Sequence, residues 1–295
     1  MPELPEVETI RLGLRRLIVK KKLAGVNFDN AKSFPNAEAD VNKFMIGASI
    51  QDVRRRGKVL MLDLDSGYSL LIHLKMTGQL VFDDSRTHFG AGHPGPALVH
   101  RLPDKSTHVS ITFADTSKLY FNDQRKFGWV RLYPSSHIEQ LPFFSKLGPE
   151  PLSKNFTAAV LKTRLVRRSG SPVKAALMDQ AVIAGVGNIY ADESLWGARI
   201  HPATLVGALS VVDYKRLHSE LLMILKLSLA KGGSTDRNYV DAEGRRGSYL
   251  DFARVFRRDG QPCPRCGTTI VKLRLAGRGT HICPKCQTIK SKQII

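Results

Sequence analysis

Cysteine is scarce in this chain, with four residues among 295, all between positions 263 and 286. That scarcity excludes the disulfide scaffold of a small secreted protein and points to a reducing compartment. Long apolar runs are also missing: no stretch approaches the roughly 18 apolar residues of a membrane-spanning helix. The first eight residues hold three glutamates, where a secretory leader carries cations. The expectation is an intracellular, cytoplasmic protein with no membrane partner. Negative charge is in short supply as well, because 26 Asp and Glu face 45 Lys and Arg, a net charge of +19. The cations are spread along the whole chain, so the excess belongs to folded surface. Such a surface repels itself unless it meets a polyanion, with nucleic acid the first candidate and an acidic membrane its competitor. What the chain does have is 42% hydrophobic residues and a length that suits about two domains with a sizeable core.

Val7, Ile10, Leu14 and Leu17 recur at steps of three, four and three. With Glu6 and Glu8 early and Arg late, this predicts an amphipathic helix behind Pro5, complemented at both ends of its dipole. Residues 1–4 are left as a short lead, since Pro5 suits a first helical turn. Strand-like segments follow at 59–64, 69–74, 109–113, 118–121 and 129–132, which predicts a β-rich sandwich. Asp83 to Lys105, with three prolines and no period, reads as a long surface loop. Pro134 to Pro151 reads as a linker. Helical patterns then appear at 156–168, 173–178, 188–196 and 211–229, and the Gly- and charge-rich segment 232–249 breaks them. A compact cysteine module closes the chain, and no internal repeat is present.

Cys263-Pro-Arg-Cys266 and Cys283-Pro-Lys-Cys286 enclose a spacer that fits two paired ligands on a β-hairpin. Four thiolates close a tetrahedron around zinc and leave no open position, so the expected ion is single and structural. A redox dithiol is the weaker alternative. Lys272, Arg274, Arg278 and Lys285 put cations on this hairpin, although a solvated face explains charge equally well. At the other end, Pro2 is small enough for Met1 to be removed, which exposes a secondary amine beside Glu3 and Glu6. A secondary amine that attacks an electrophilic carbon forms a cationic iminium, an electron sink, and a neighbouring carboxyl can act as general acid. Taken alone, Pro2 and Pro5 are better explained as stops against fraying before a helix.

Further motifs carry a resemblance. Met1-Pro2-Glu3-Leu4-Pro5-Glu6-Val7-Glu8, Arg55-Arg56-Gly57-Lys58, His73-Leu74-Lys75-Met76-Thr77-Gly78, Asp123-Gln124-Arg125-Lys126-Phe127-Gly128, Leu147 to Leu152 and Ala184-Gly185-Val186-Gly187-Asn188-Ile189-Tyr190-Ala191 occur in that order ahead of the cysteine module. The chain therefore resembles the bacterial formamidopyrimidine-DNA glycosylases from its first residues to its last cysteine. The resemblance implies an α+β fold: an N-terminal β-sandwich flanked by helices (1–134), a linker (135–150), a helical helix–two-turn–helix domain with a lesion loop (151–249), and a β-hairpin zinc finger with tail (250–295). It implies a bifunctional glycosylase and abasic-site lyase acting on double-stranded DNA that carries 8-oxoguanine, formamidopyrimidines or abasic sites. It also implies one zinc ion on Cys263, Cys266, Cys283 and Cys286, a monomer, and a cytoplasmic place with nucleoid association during repair.

For single residues the resemblance implies that Pro2 attacks C1′, Glu3 is the acid that helps open the sugar and Glu6 supports it. Lys58 is implied as proton donor in β-elimination and Arg278 in δ-elimination. Met76, Arg125 and Phe127 are implied to fill the hole left by an everted nucleotide, with Lys126 in the same motif. His73, His108, Lys174 and Asn188 are implied as further DNA contacts. Each has a plainer structural reading: core packing for Met76 and Phe127, a satisfied histidine for His73 and His108, and a turn for the glycine pair before Asn188. The segment from Gly233-Ser234-Thr235 through Tyr249 resembles the loop that covers an everted 8-oxoguanine. The long 83–105 stretch, Ser169-Gly170-Ser171 where basic residues are common, and the residues after Cys286 depart from the pattern. Two alternatives stay open: an endonuclease VIII-like enzyme for oxidised pyrimidines, and a non-catalytic zinc protein that clamps damaged DNA.

Overall fold

The computed structural model describes residues 2–93, 101–233 and 249–289. The chain divides into two compact units: one runs to Ser145 and takes up the segment that starts at Lys231, and the other spans Lys146–Ala230 and resumes at Tyr249. In the first unit, α1 (Leu4–Ile18) has Pro5 in its opening turn and buries Val7, Ile10 and Leu14 of the expected stripe, while Ile18 fills the fourth buried position and the expected Leu17 is half-buried. The strands are β1 (Leu23–Phe28), β2 (Ile50–Arg56), β3 (Val59–Leu64), β4 (Tyr68–His73), β5 (Gly78–Asp83), β6 (His88–Gly92), β7 (Thr107–Phe113), β8 (Lys118–Asp123) and β9 (Trp129–Pro134). They form two antiparallel sheets, ordered β1-β7-β8-β5-β6 and β2-β3-β4-β9. Leu60, Leu62, Leu70 and Ile72 from one sheet and Leu80, Phe82, Ile111 and Phe121 from the other share a single core with α1.

The expected loop from Asp83 to Lys105 is corrected here. Its first part folds into β6, which pairs with β5 from Asp83↔His88 to Gln79↔Gly92. The Asp84 carboxylate accepts from Arg86 N and Thr87 N, both at 2.7 Å, and so closes the hairpin. Glycine-rich His88-Phe89-Gly90-Ala91-Gly92 has little strand propensity, and burial of Phe89 and Ala91 overrides it. Phe89 lies against α1 at Gly13, where a Cβ would come within 2.5 Å of the ring.

Pairing registers bring several turns to one end of the sandwich. Val59 at the start of β3 lies opposite His73 at the end of β4, and His73 lies opposite Trp129 at the start of β9. In the other sheet, Gly78 at the start of β5 lies opposite Asp123 at the end of β8. The connection 74–77 joins the two sheets at that end. Lys58, Met76 and Arg125–Phe127 all sit on these turns.

The second unit contains α2 (Ala158–Val166), α3 (Val173–Met178), α4 (Asn188–Gly197) and α5 (Val211–Ala230) around a core of Leu161, Leu177, Tyr190, Leu195, Leu221 and Leu225. The Thr157 side chain caps α2 by accepting from Val160 N at 3.2 Å. The hairpin β10 (Val271–Leu275) and β11 (Arg278–Ile282) follows, with a smaller core of Trp196, Val255, Cys263, Ile270 and Cys283. Among the described residues, no helix is long and apolar enough to cross a membrane.

Candidate functional site

The chain opens with a buried pair. Pro2 is buried and Glu3, the N-cap of α1, is 4% exposed. Glu3 and Glu6 form a capping box: the Glu3 side chain accepts from the Glu6 backbone, and the Glu6 carboxylate accepts from Glu3 N at 2.8 Å. The box fixes the direction in which the chain enters the helix and therefore the position of Pro2. One turn later, the Glu8 carboxylate accepts from Arg55 Nε at 2.9 Å, and Arg55 donates on to the Gly57 carbonyl at 2.8 Å. This bridge ties the start of α1 to the β2–β3 turn that carries Lys58, itself 6% exposed. The carboxyl of Glu8 is held below the usual carboxylate range: burial alone pushes it up, but hydrogen bonds and charge from Arg11 and Arg55 outweigh that. Gly233 also packs here, where a Cβ would lie 3.2 Å from Glu6 Oε1.

His73 stands beside this region but not as a cation. It is 6% exposed, its Nδ1 accepts from Lys75 N at 2.9 Å, and burial, with Lys75 and Lys58 adding to it, draws its pKa down to about 3. A neutral ring can offer an N–H to a phosphate but no charge. Met76 is half-buried in the turn after β4. In the turn after β8, Arg125, Lys126 and Phe127 are exposed, and the Arg125 guanidinium lies over the Phe127 ring at 4.8 Å. Phe127 is 54% exposed, an apolar ring with no core to fill, unlike the packing that its residue type alone suggests.

His108 is a correction. It was expected on a DNA-facing strand, yet it is 1% exposed, with Nδ1 2.9 Å from Asp29 Oδ1 and Nε2 2.9 Å from the Asp123 carbonyl. Both ring nitrogens are spent inside the fold, so a phosphate has nothing left to bind.

Lys174 is a second correction. Expected to meet a phosphate, it is 1% exposed and its ammonium lies 2.7 Å from Asp192 Oδ1, donating also to Thr280 Oγ1 at 2.7 Å and to the Gly279 carbonyl at 3.0 Å. An ion pair and two donated hydrogen bonds thus hold the ammonium inside the fold. Asp192 in turn accepts from His281 N at 3.0 Å, so one buried carboxylate fastens the zinc hairpin to α3 and α4. Removing one partner of a buried pair leaves the other charge uncompensated. Lys174→Met is therefore expected to destabilise the protein by about 3–5 kcal/mol, which urea unfolding followed by circular dichroism will measure. A loss below about 1 kcal/mol would mean that the pair is not holding the hairpin.

The Asn188 amide is likewise turned inward, with Nδ2 donating to the Gly279 carbonyl at 3.1 Å. Asn188 is half-buried, and its amide nitrogen carries a second N–H beyond this bond. The turn before α4 is held by Gln180, which accepts from Gly185 N at 2.9 Å and donates to the Val186 carbonyl at 2.8 Å. Arg278 is exposed at the head of β11, just after a turn with left-handed Ala276 and Gly277.

The four cysteine sulfurs lie within 4.8 Å of one another, Cys266 being 3.4 Å from both Cys283 and Cys286 and Cys263 4.0 Å from Cys286. A tetrahedron with Zn–S bonds of about 2.3 Å has edges of about 3.8 Å, so the set fits one structural zinc. Without a cation the thiols titrate apart: hydrogen bonds from Thr268 lower Cys266 to about 6, while burial and neighbouring sulfurs push Cys286 up to about 12. Four such groups ionise together only around a cation. Arg265, inside the first pair, stacks on Trp196 at 3.9 Å and donates to the Trp196 carbonyl at 3.1 Å, which seats the finger on the end of α4.

Sequence reasoning missed Asp123, Gln180, Asp192 and Glu193. Glu193 is wholly buried, and its carboxylate accepts from the backbones of Arg254, Val255 and Phe256. Burial pushes its pKa up while those donors pull it down. Residues 234–248 of the expected lesion loop (233–249), the tail after Ile289 and Met1 lie outside the described residues.

Known proteins share this arrangement. The model of the formamidopyrimidine-DNA glycosylase N-terminal domain matches residues 1–130, that of the formamidopyrimidine-DNA glycosylase H2TH domain matches 147–239, and that of a zinc finger found in FPG and IleRS matches 260–289. The formamidopyrimidine-DNA glycosylase of Streptococcus pyogenes serotype M28 is 41% identical over 292 residues, covering 97% of this chain and 98% of its own. That of Exiguobacterium sibiricum is 40% identical over 290 residues, covering 98% and 99%. Among solved structures, a mutant of Lactococcus lactis FPG in complex with Fapy-dG containing DNA superposes with a TM-score of 0.85 at 32% identity, covering 97% of this chain and all of that one. MutM in complex with carbocyclic 8-oxo-G containing DNA gives 0.84 at 31%, with the same coverage. With all three domain models matched in order, and relatives of this identity along nearly the full length, the chain belongs to the formamidopyrimidine-DNA glycosylase family.

Proposed function

We propose that this protein excises oxidised purines, 8-oxoguanine and formamidopyrimidines, from double-stranded DNA and then cleaves the strand at the resulting abasic site. The observation that carries this reading is the buried Pro2–Glu3 pair at the head of α1, bridged through Glu8 and Arg55 to the turn of Lys58. A clamp that only binds DNA has no use for a buried amine and carboxyl. Once Met1 is removed, the Pro2 nitrogen attacks C1′ of the damaged nucleoside. The glycosidic bond breaks, and the base leaves with its bonding electrons and takes up a proton. Glu3 protonates the ring oxygen as the sugar opens, which leaves an iminium between Pro2 and C1′. Loss of a C2′ proton then expels the 3′ phosphate, with Lys58 as the proton donor, and a second elimination served by Arg278 expels the 5′ phosphate. Hydrolysis of the remaining iminium by water frees the Pro2 amine and releases the sugar remnant as an aldehyde.

Met76, Arg125 and Phe127, on turns at the same end of the sandwich, fill the gap left by the everted nucleotide, and Lys126 adds charge beside them. The zinc on Cys263, Cys266, Cys283 and Cys286 holds the hairpin that presents Arg278; its role is structural. Duplexes carrying 8-oxoguanine opposite cytosine, or thymine glycol opposite adenine, test the substrate class. Faster excision of 8-oxoguanine is expected; a preference for thymine glycol would place the activity with oxidised pyrimidines, and binding without excision of either would leave a clamp.

A further inference from the structure

The two turns that carry the gap-filling side chains are organised by one buried carboxylate to which sequence reasoning gave no role. Asp123 is 0% exposed. Its Oδ1 accepts from the Thr77 hydroxyl and from Arg125 N at 3.2 Å, and its Oδ2 accepts from Phe127 N at 2.8 Å and Gly128 N at 2.7 Å. An ionised carboxylate offers about four lone-pair sites, and all four are used. Arg125 N is shared with Thr77 Oγ1 at 3.2 Å, so the 74–77 turn and the 124–128 turn close on the same group. Thr77 follows Met76 directly.

The hub is fixed from behind as well. The Asp123 carbonyl lies 2.9 Å from His108 Nε2, whose Nδ1 is 2.9 Å from Asp29 Oδ1. Each ring nitrogen of His108 thus faces an oxygen inside the fold, which holds the Asp123 backbone in place. The tightness of the loop shows at its exit: a Cβ on Gly128 would lie 2.6 Å from the Phe121 ring, 2.9 Å from the His73 carbonyl and 3.2 Å from Asp123 Oδ2. Lys126 takes a left-handed φ of 56° to complete the turn. Phe127 and Arg125 are thus exposed side chains on a backbone whose donors are spoken for, as insertion between stacked bases requires: an apolar ring gains nothing from entering DNA if its loop must first be ordered.

We infer that Asp123 is a positioning residue that sets Met76, Arg125 and Phe127 as one rigid wedge before DNA arrives, with His108 holding Asp123 in register. This rests on the wedge role proposed above for those three residues. Asp123→Asn is the fitting probe, because it keeps the size but replaces one acceptor oxygen with a donor facing backbone N–H groups. Hydrogen exchange of the intact protein reads positioning directly: amides of residues 125–128 are expected to exchange faster in Asp123→Asn, and unchanged exchange would overturn the inference.

Function reads the consequence. Excision of 8-oxoguanine from duplex DNA in single turnover is expected to fall on the order of 10²-fold, the cost of a displacement of about 1 Å in a positioned group. Cleavage of a single-stranded abasic oligonucleotide, where no stack needs filling, is expected to stay within about twofold. Equal loss on both substrates would mean a general folding role and would overturn the inference. Adding Asp123→Asn to Arg125→Ala/Phe127→Ala is expected to cost little more than the double variant alone, since residues in one network do not add; full additivity would count against it. If Arg125→Ala/Phe127→Ala excises normally, the wedge role itself fails, while the exchange experiment still decides whether Asp123 orders the loop.

Discussion

Glu3→Gln is expected to reduce release of 8-oxoguanine from duplex DNA by about 10²–10⁴-fold, the range that loss of a positioned general acid produces, and to leave the fold intact. Glutamine has the shape of glutamate and keeps an oxygen that accepts from the Glu6 backbone, so the capping box survives. What it lacks is a proton to give. Cleavage of a preformed abasic site is expected to be far less affected, because its sugar already exists in part as an open-chain aldehyde that the Pro2 amine can attack without ring-opening by an acid. Rates on the two substrates, with melting temperature as a control, separate the cases. Undiminished excision would remove Glu3 from the chemistry and reduce it to a helix cap.

Removal of zinc is expected to have the second largest effect. Structural zinc contributes about 10–16 kcal/mol to the folding of isolated fingers, and the finger here has a small apolar core in which two of the cysteines are themselves members. Chelation, or Cys283→Ser, is therefore expected to unfold residues 260–289 while the helices around Leu177, Tyr190 and Leu221, which form a separate core, persist. Strand cleavage is expected to be lost as the hairpin releases Arg278. Trp196 is a built-in reporter, stacked under Arg265 and packed beside Cys263. In a Trp129→Phe background it is the sole tryptophan. Its emission is expected to shift on chelation with little change in helical circular dichroism, whereas unaltered emission would show that the finger stands without metal.

Much of this was legible in the sequence where chemistry leaves a spacing. Four soft ligands in two tight pairs have few other uses, so the zinc site could be read directly, and the stripe Val7, Ile10, Leu14 became the buried face of α1. The glycine-rich strand β6 was hidden because its register comes from β5 and its burial from α1, neither of which its own residues encode. Lys174 and His108 were misjudged for a related reason. Whether Lys174 faces solvent or a buried carboxylate depends on Asp192, and whether His108 is spent inside the fold depends on Asp29, 18 and 79 positions away, and no local pattern announces those partners. Asp123 and Glu193 were invisible because carboxylates that serve backbone N–H groups follow no period. The one available signal was Asp123 itself, standing at the start of a turn that ends in Phe127-Gly128.

A DNA clamp needs no nucleophile at its N-terminus, whereas the proposed excision requires one at Pro2. The decisive measurement is borohydride trapping of the protein, shown by mass spectrometry to lack Met1, on a duplex carrying 8-oxoguanine, with peptide mapping of the adduct. A covalent DNA adduct at Pro2, absent in Pro2→Gly, is the predicted result. No adduct, or an adduct confined to a lysine such as Lys58, would contradict it.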